Sequence, residues 1–336
     1  MLLRSLLLTL IVLVTACAGK KPVDTVEAAA PPTHELRIVA TVPPGSGDVY
    51  LAGNLPELGP WDPGKFVMNG SGEEREAVLQ VPAGTDVEFK LTRGSWIREA
   101  VDGQCKARAN EKVKVDGDTT VRVAIERFRD PSVECPWPDP ERWRSAIDAY
   151  TEKDKLNPPA PGGVLFVGSS SVVGWHGTIH EDLAPLPIIA RGFGGSTMHD
   201  LLVYTDRIVL PYRPATIVVY EGDNDIAGAV FPETVLGEFE KFIAIVRAAL
   251  PETEIYFIPA KPSPSRWELW PRMQELNAGL EALCAKDPKL HMIDIVTPML
   301  GPDGTPRPEL FKEDRLHMKP EGYRIWTEKV REALIH

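Results

Sequence analysis

Two rhythms of apolar and polar residues divide the chain. Over residues 35–130, short runs alternate apolar with polar positions, as in ELRIVATV, DVYLAG, REAVLQV, DVEFKLT, EKVKV and TTVRVAIERF, with Gly, Pro and Asp between them. Period-two alternation of this length predicts strands buried on one face, and a series of them predicts a small antiparallel sandwich. Over 161–336 the strand-like runs VLFVG, PIIARGF, ATIVVYEG, TEIYFIPA and LHMIDI are apolar with little alternation, as strands covered on both faces are. Between them HDLLVYTDRIVL, PETVLGEFEKFIAIVRAAL and LWPRMQELNAGLEALCAKD space their apolar residues at i, i+3 and i+4, which predicts helices. Regular alternation of the two kinds predicts an α/β domain, a parallel sheet with helices on both faces. The segment between, 131–160, reads as a Pro/Trp-rich linker that packs, PWPDPERW, and then a helix, RSAIDAYTEKDKL.

The amino terminus fits neither rhythm. Arg4 is followed by the apolar run Leu6 to Val14 and then by small residues up to Cys17, the layout of a secretory signal over residues 1–16. The run is too short to span a bilayer. Val14-Thr15-Ala16-Cys17 resembles a bacterial lipobox, which implies lipidation of Cys17 and a cell-envelope lipoprotein; Ala18, where Asp is absent, implies the outer membrane. Residues 17–34 are Ala/Pro-rich without apolar period and read as a tether.

Composition narrows the partners. The chain has 336 residues, of which 43% are hydrophobic and 25% charged, so a globular protein of two domains is expected. A net charge of -11 with no basic cluster argues against nucleic acid, and against any membrane contact beyond the lipid anchor. Cys284 lies in an apolar helical pattern, as a buried thiol would. Cys105 and Cys135 bracket the end of the first domain, and whether they are bridged is open. No cysteine spacing resembles a zinc site.

The run VYLAGNLPELGPWDP, continuing through VPAGTDVEFKLTRGSW, resembles the starch- and glycogen-binding modules, and the likeness covers about ninety residues as an immunoglobulin-like sandwich. In that family two tryptophans stack on sugar rings and a lysine binds a hydroxyl. The resemblance implies those roles for Trp61, Lys90 and Trp96 and an α-glucan ligand. Aromatic faces suit sugars because axial C–H groups pack on them. After Trp96 the family's sugar-contacting loop is replaced by IREAVDGQCKARANEK, so half of any site departs from the pattern. The alternative is a spacer in which both tryptophans are packed.

In the second domain, polar residues gather at the ends of the predicted strands: Gly168-Ser169-Ser170, Gly194-Gly195-Ser196-Thr197, Gly222-Asp223-Asn224-Asp225 and, before the last helix, Asp314-Arg315-Leu316-His317. In this order they resemble the four blocks of the SGNH or GDSL hydrolases, on a flavodoxin-like three-layer sandwich. The resemblance implies Ser170 as nucleophile, His317 as base and Asp314 as the carboxylate that orients it. It also implies Gly195 and Asn224 as oxyanion donors beside the Ser170 amide, although the Gly194-Gly195 pair leaves the register open by one. A serine hydroxyl needs a neutral imidazole to take its proton, and the imidazole needs a carboxylate to fix its tautomer. The alternative is that Ser169 to Ser171 only cap a helix.

Other candidates are weaker. His176 and His180 are four apart but lack a third ligand, so no metal is expected, and no organic cofactor either. Asp223 and Asp225 are expected to cap the turn they flank. Trp267, Trp270 and Met273 are expected in the core rather than lining a cleft. The resemblances together imply a lipid-anchored serine esterase acting on short acyl esters of a small molecule or a glycan. A lysophospholipase or thioesterase, and a non-catalytic glycan-binding lipoprotein, are the alternatives.

Overall fold

The computed structural model describes residues 32–130 and 132–335. The signal segment, Cys17 and the tether up to residue 31 lie outside the described residues. No helix among those described is long and apolar enough to cross a membrane.

Nine strands build the first domain: β1 (Thr33–Thr41), β2 (Tyr50–Gly53), β3 (Phe66–Val67), β4 (Glu74–Pro82), β5 (Thr85–Thr92), β6 (Ala100–Val101), β7 (Glu111–Val115), β8 (Thr119–Ala124) and β9 (Arg127–Phe128). They form a β4-β1-β8 sheet, a β3-β2-β5-β7 sheet and a small β6-β9 pair. Inward residues of the two larger sheets, among them Leu36, Ile38, Leu51, Leu79 and Phe89, make one core. The expectation of an antiparallel sandwich needs one correction: β1 pairs with β8 in parallel, Leu36 opposite Thr119 through Thr41 opposite Ala124. Period-two alternation reports which face is buried and carries no strand direction. Strand β1 also begins at Thr33, so the last two residues assigned to the tether belong to the sandwich.

The second domain is the expected α/β sandwich. Strands β10 (Val164–Gly168), β11 (Ile188–Gly192), β12 (Thr216–Tyr220), β13 (Glu254–Phe257) and β14 (Leu290–Met292) are all parallel and lie in the order β11-β10-β12-β13-β14. Successive side chains serve opposite layers. Leu165 and Val167 join a core with Ile147, Phe239 and Met273, whereas Val164 and Phe166 join one with Trp175, Trp326 and Val330. That is why these strands read as unbroken apolar runs.

Helices α1 (Arg144–Leu156), α4 (Met198–Val203), α5 (Thr205–Ile208), α6 (Asp223–Ala227), α7 (Pro232–Ala249) and α8 (Trp270–Cys284) supply the first layer; α2 (Ser170–Trp175), α3 (Ile179–Asp182), α9 (Val296–Met299) and α10 (Pro320–Leu334) supply the second. The run HDLLVYTDRIVL is not one helix: α4 and α5 are followed by a 3₁₀ turn at Leu210–Tyr212. Trp270 and Met273 are buried in the core, with Trp267 packed against it.

The two domains are docked. Ile97, in a 3₁₀ turn of the sandwich, belongs to the core of the α/β domain. Its neighbour Arg98 donates to Glu268 at 2.5 Å. Cys105 is bonded to Cys135, whose amide donates to Ala229 O. The connector also packs, with Trp137 Nε1 donating to Asp225 at 2.8 Å and Arg142 to Asp200 at 2.5 Å.

Candidate active site

The strand order places a topological switch point between β10 and β11 on one side and β12 on the other, where the loops leave in opposite directions and open a crevice at the strands' carboxyl ends. Ser170 stands there as the first residue of α2, directly after β10. The turn requires Gly168: its φ is +149°, and a Cβ would lie 2.3 Å from Tyr220 O. As a first helical residue, Ser170 has no intrahelical acceptor for its own N–H. The alternative, that the serines only cap a helix, is not how their side chains are used: Ser169, the N-cap, makes no side-chain cap bond, and Ser170 Oγ lies 3.0 Å from His317 Nε2.

His317 is carried by a turn before α10. Asp314 Oδ2 is 2.6 Å from His317 Nδ1, while its Oδ1 accepts from the Leu316 and His317 amides, each at 2.9 Å. Arg315 between them adopts left-handed backbone, φ +58°, which brings both amides round to one oxygen. Lys312 N–H donates to His317 O, closing the turn. Partial burial opposes the charge on Asp314, but the bond to His317 and the two amides outweigh it and hold the carboxyl below its ordinary range. The three groups are thus hydrogen-bonded in series, Asp314 to His317 to Ser170.

Gly195 and Asn224 lie on the loops after β11 and β12. Gly195 has φ +88° and lines a cleft together with Asn224; its amide has no hydrogen-bond partner among the described residues. Gly194 lacks the left-handed backbone. Asn224 Nδ2 donates to Ser196 O at 2.8 Å, and its Oδ1 accepts from Arg266 Nη2 at 2.9 Å, so the amide nitrogen has one proton left.

Beneath these loops sits a buried ionic layer. Asp223 accepts from Lys261 at 2.9 Å, Arg266 at 2.5 Å and Tyr220 at 2.8 Å. Burial alone would raise its pKa, but the two cations hold it well below the carboxylate range. Asp225 accepts from the Trp137 indole and from the Met198 and Gly222 amides, so it does cap its turn as expected, whereas Asp223 is an ion-pair anchor. Burial lifts Asp225 to about 6. Glu221, 1% exposed, is pushed well above its ordinary range by burial and by Asp225, and its carboxyl bonds Ser196 Oγ. Arg266, Lys261 and Glu221 were not among the sequence candidates; they come from positions whose role depends on long-range pairing, and no local pattern marks them.

The remaining candidates are placed as follows. His176 Nε2 accepts from the Gly192 amide at 3.2 Å and, through burial, titrates lower than usual. His180 is exposed, and no group of metal-ligating side chains occurs among the described residues. In the sandwich, Trp61 and Trp96 are half-buried with ring centroids 6.4 Å apart and planes at 37°. Lys90 lies close by in sequence to Trp96 but gives its ammonium to Glu99 at 2.9 Å. Cys284 is a free thiol in α8, half-buried.

Comparison with known proteins matches residues 162–325 to the model of the GDSL-like Lipase/Acylhydrolase family. A solved structure described as a platelet activating factor from Streptococcus pneumonia is similar to the chain with a TM-score of 0.51 and 20% identity, over 58% of this chain and 95% of that one. A GDSL-like lipase from Bacteroides thetaiotaomicron has a TM-score of 0.47 and 24% identity, over 58% and 96%. An 88-residue stretch, 26% of this chain, is 31% identical to an alpha-amylase of Niallia circulans and spans 7% of that relative's length. Residues 162–325 thus match the GDSL-like Lipase/Acylhydrolase family model, on an α/β fold shared with the Streptococcus pneumonia structure.

Proposed function

We propose that the chain is a serine ester hydrolase working through an acyl-enzyme. The observation that carries this reading is the hydrogen-bonded series Asp314, His317, Ser170 at the switch point of the sheet. Ser170 Oγ attacks the acyl carbon as His317 Nε2 takes its proton. Asp314 keeps the proton on Nδ1 and stabilises the imidazolium. The Ser170 and Gly195 amides and the spare Asn224 N–H receive the oxyanion, each contributing about 3 kcal/mol to the transition state. The imidazolium then protonates the departing alcohol, and water enters by the reverse steps to free the acid.

The substrates we infer are short acyl esters, with carbohydrate as the alcohol. The sandwich resemblance and the paired tryptophans support a sugar-binding role for the first domain. The envelope location and lipid anchor rest on the sequence around Cys17.

Fluorophosphonate labelling of the purified chain, with the modified peptide mapped, tests the assignment. Modification at Ser170 alone is expected; labelling elsewhere, or none under conditions where a control hydrolase reacts, overturns it.

A further inference from the structure

Beside the oxyanion donors lies a cleft of about 1010 Å³, and its far wall comes from the other domain. The α/β domain contributes Gly195, Asn224 and Arg266; the sandwich contributes Gln104, Lys106 and Arg129. Ser170 and His317 are not among the lining residues, so the cleft meets the reaction centre through Gly195 and Asn224.

The sandwich wall is a built feature. Asp102 Oδ1 accepts from the Gln104 and Lys106 amides, each at 2.9 Å, and the Asp102 amide donates to Lys106 O. Cys105, in left-handed backbone at φ +63°, is bonded to Cys135 on the connector. This is the stretch in which the sequence abandons the glycan-module pattern. It is held against the hydrolase by that disulfide, by Ile97 in the neighbouring core and by the Arg98–Glu268 ion pair.

The charges of the lining have a sign. Lys106, Arg129, Arg142 and Arg266 face two carboxylates, Asp139 and Asp225, in a chain whose net charge is -11. The arginines are paired with Glu99, Asp200 and Asp223, none of which lines the cleft. Arg129 keeps a buried Nε without a partner, and Lys106 is exposed and takes part in no ion pair among the described residues. A small acyl group needs no cleft of this size, so the space serves the alcohol half of the ester.

From this we propose that the sandwich loop 102–108 completes the substrate site, and that the cleft takes an alcohol half bearing a carboxylate, with Lys106 as its counter-charge. The inference rests on the hydrolase reading above.

The test is kinetic and uses the full chain. Turnover of 4-acetoxybenzoate, whose leaving group carries a carboxylate, is compared with that of its neutral methyl ester by the ratio of kcat/KM values. The wild type is expected to favour the anion. Lys106→Ala should lower the ratio about fivefold, and Lys106→Glu further, as expected for one partly exposed charge pair. Raising the salt from 20 to 500 mM should shrink the wild-type preference but leave the Lys106→Ala ratio nearly flat. An active enzyme whose ratio is indifferent to Lys106 and to salt overturns the inference alone. A chain inert toward both esters and toward fluorophosphonate overturns the hydrolase reading, and the inference with it.

Discussion

Arg266 donates from Nη2 to the Asn224 amide oxygen at 2.9 Å while its Nη1 holds Asp223, so a single guanidinium decides which way the Asn224 amide faces. With the oxygen occupied and one N–H on Ser196 O, the remaining proton is the one available to an oxyanion. Asn224→Ala is expected to lower kcat about 100- to 1000-fold with a small change in KM, as for loss of one such donor. Arg266→Lys keeps a charge for Asp223 but loses the fork, and should cost about tenfold, again in kcat. Steady-state kinetics on p-nitrophenyl acetate distinguish the two; a variant that changed only KM would place Asn224 in ground-state binding.

Ser170→Ala and His317→Ala are expected to abolish hydrolysis of the same ester, and Asp314→Asn to reduce kcat by about 10³- to 10⁴-fold through loss of the productive tautomer. Ser169→Ala and Ser171→Ala, whose hydroxyls do not contact His317, should keep most of the activity. Full activity in Ser170→Ala would remove the nucleophile assignment.

Glu221 predicts a pH dependence of stability. Its folded pKa is raised, so its contribution is complete below the unfolded value of about 4.3 and is lost as pH rises through the folded value. Asp225, lifted to about 6, acts in the same direction, while Asp223, held low by Lys261 and Arg266, does not titrate in this range. Glu221→Gln stays neutral throughout. Thermal unfolding at pH 5, 7 and 9 should therefore show a shallower fall in Tm for the variant than for the wild type. Parallel curves would mean that the Glu221 carboxyl pKa is not raised in the folded protein.

Much of the site could be read from sequence because its chemistry is local. The roles of Ser170, Asp314 and His317 were implied by the resemblance of the four blocks, and the short spacings, Asp314 and His317 on one turn and Ser170 just past its strand, are local features that a sequence displays. Strand existence was equally legible in the unbroken apolar runs. What escaped depends on contacts between distant segments. Arg266 lies 42 residues from Asn224 and reaches it only because β12 and β13 are neighbours. The parallel β1–β8 ladder and the breaks within HDLLVYTDRIVL are set by tertiary packing, which periodicity does not encode.

The tryptophan pair gives a test of the first domain. If Trp61 and Trp96 bind glycan, Trp61→Ala with Trp96→Ala should lose retention on insoluble starch while turnover of p-nitrophenyl acetate persists. Lys90, already ion-paired with Glu99, should contribute little, so Lys90→Ala is expected to change retention less than the tryptophan pair does. Equal retention by wild type and double variant would leave the sandwich its role at the cleft and remove the sugar platform.

The bond between Cys105 and Cys135 closes a covalent ring of the intervening 30-residue separation, and the ring contains the crossover from one domain to the other. A protease that cuts the chain inside that ring does not release the sandwich. On a gel the nicked molecule should run as one species without reductant and as two with it, so the molecule would outlast a break in its own backbone.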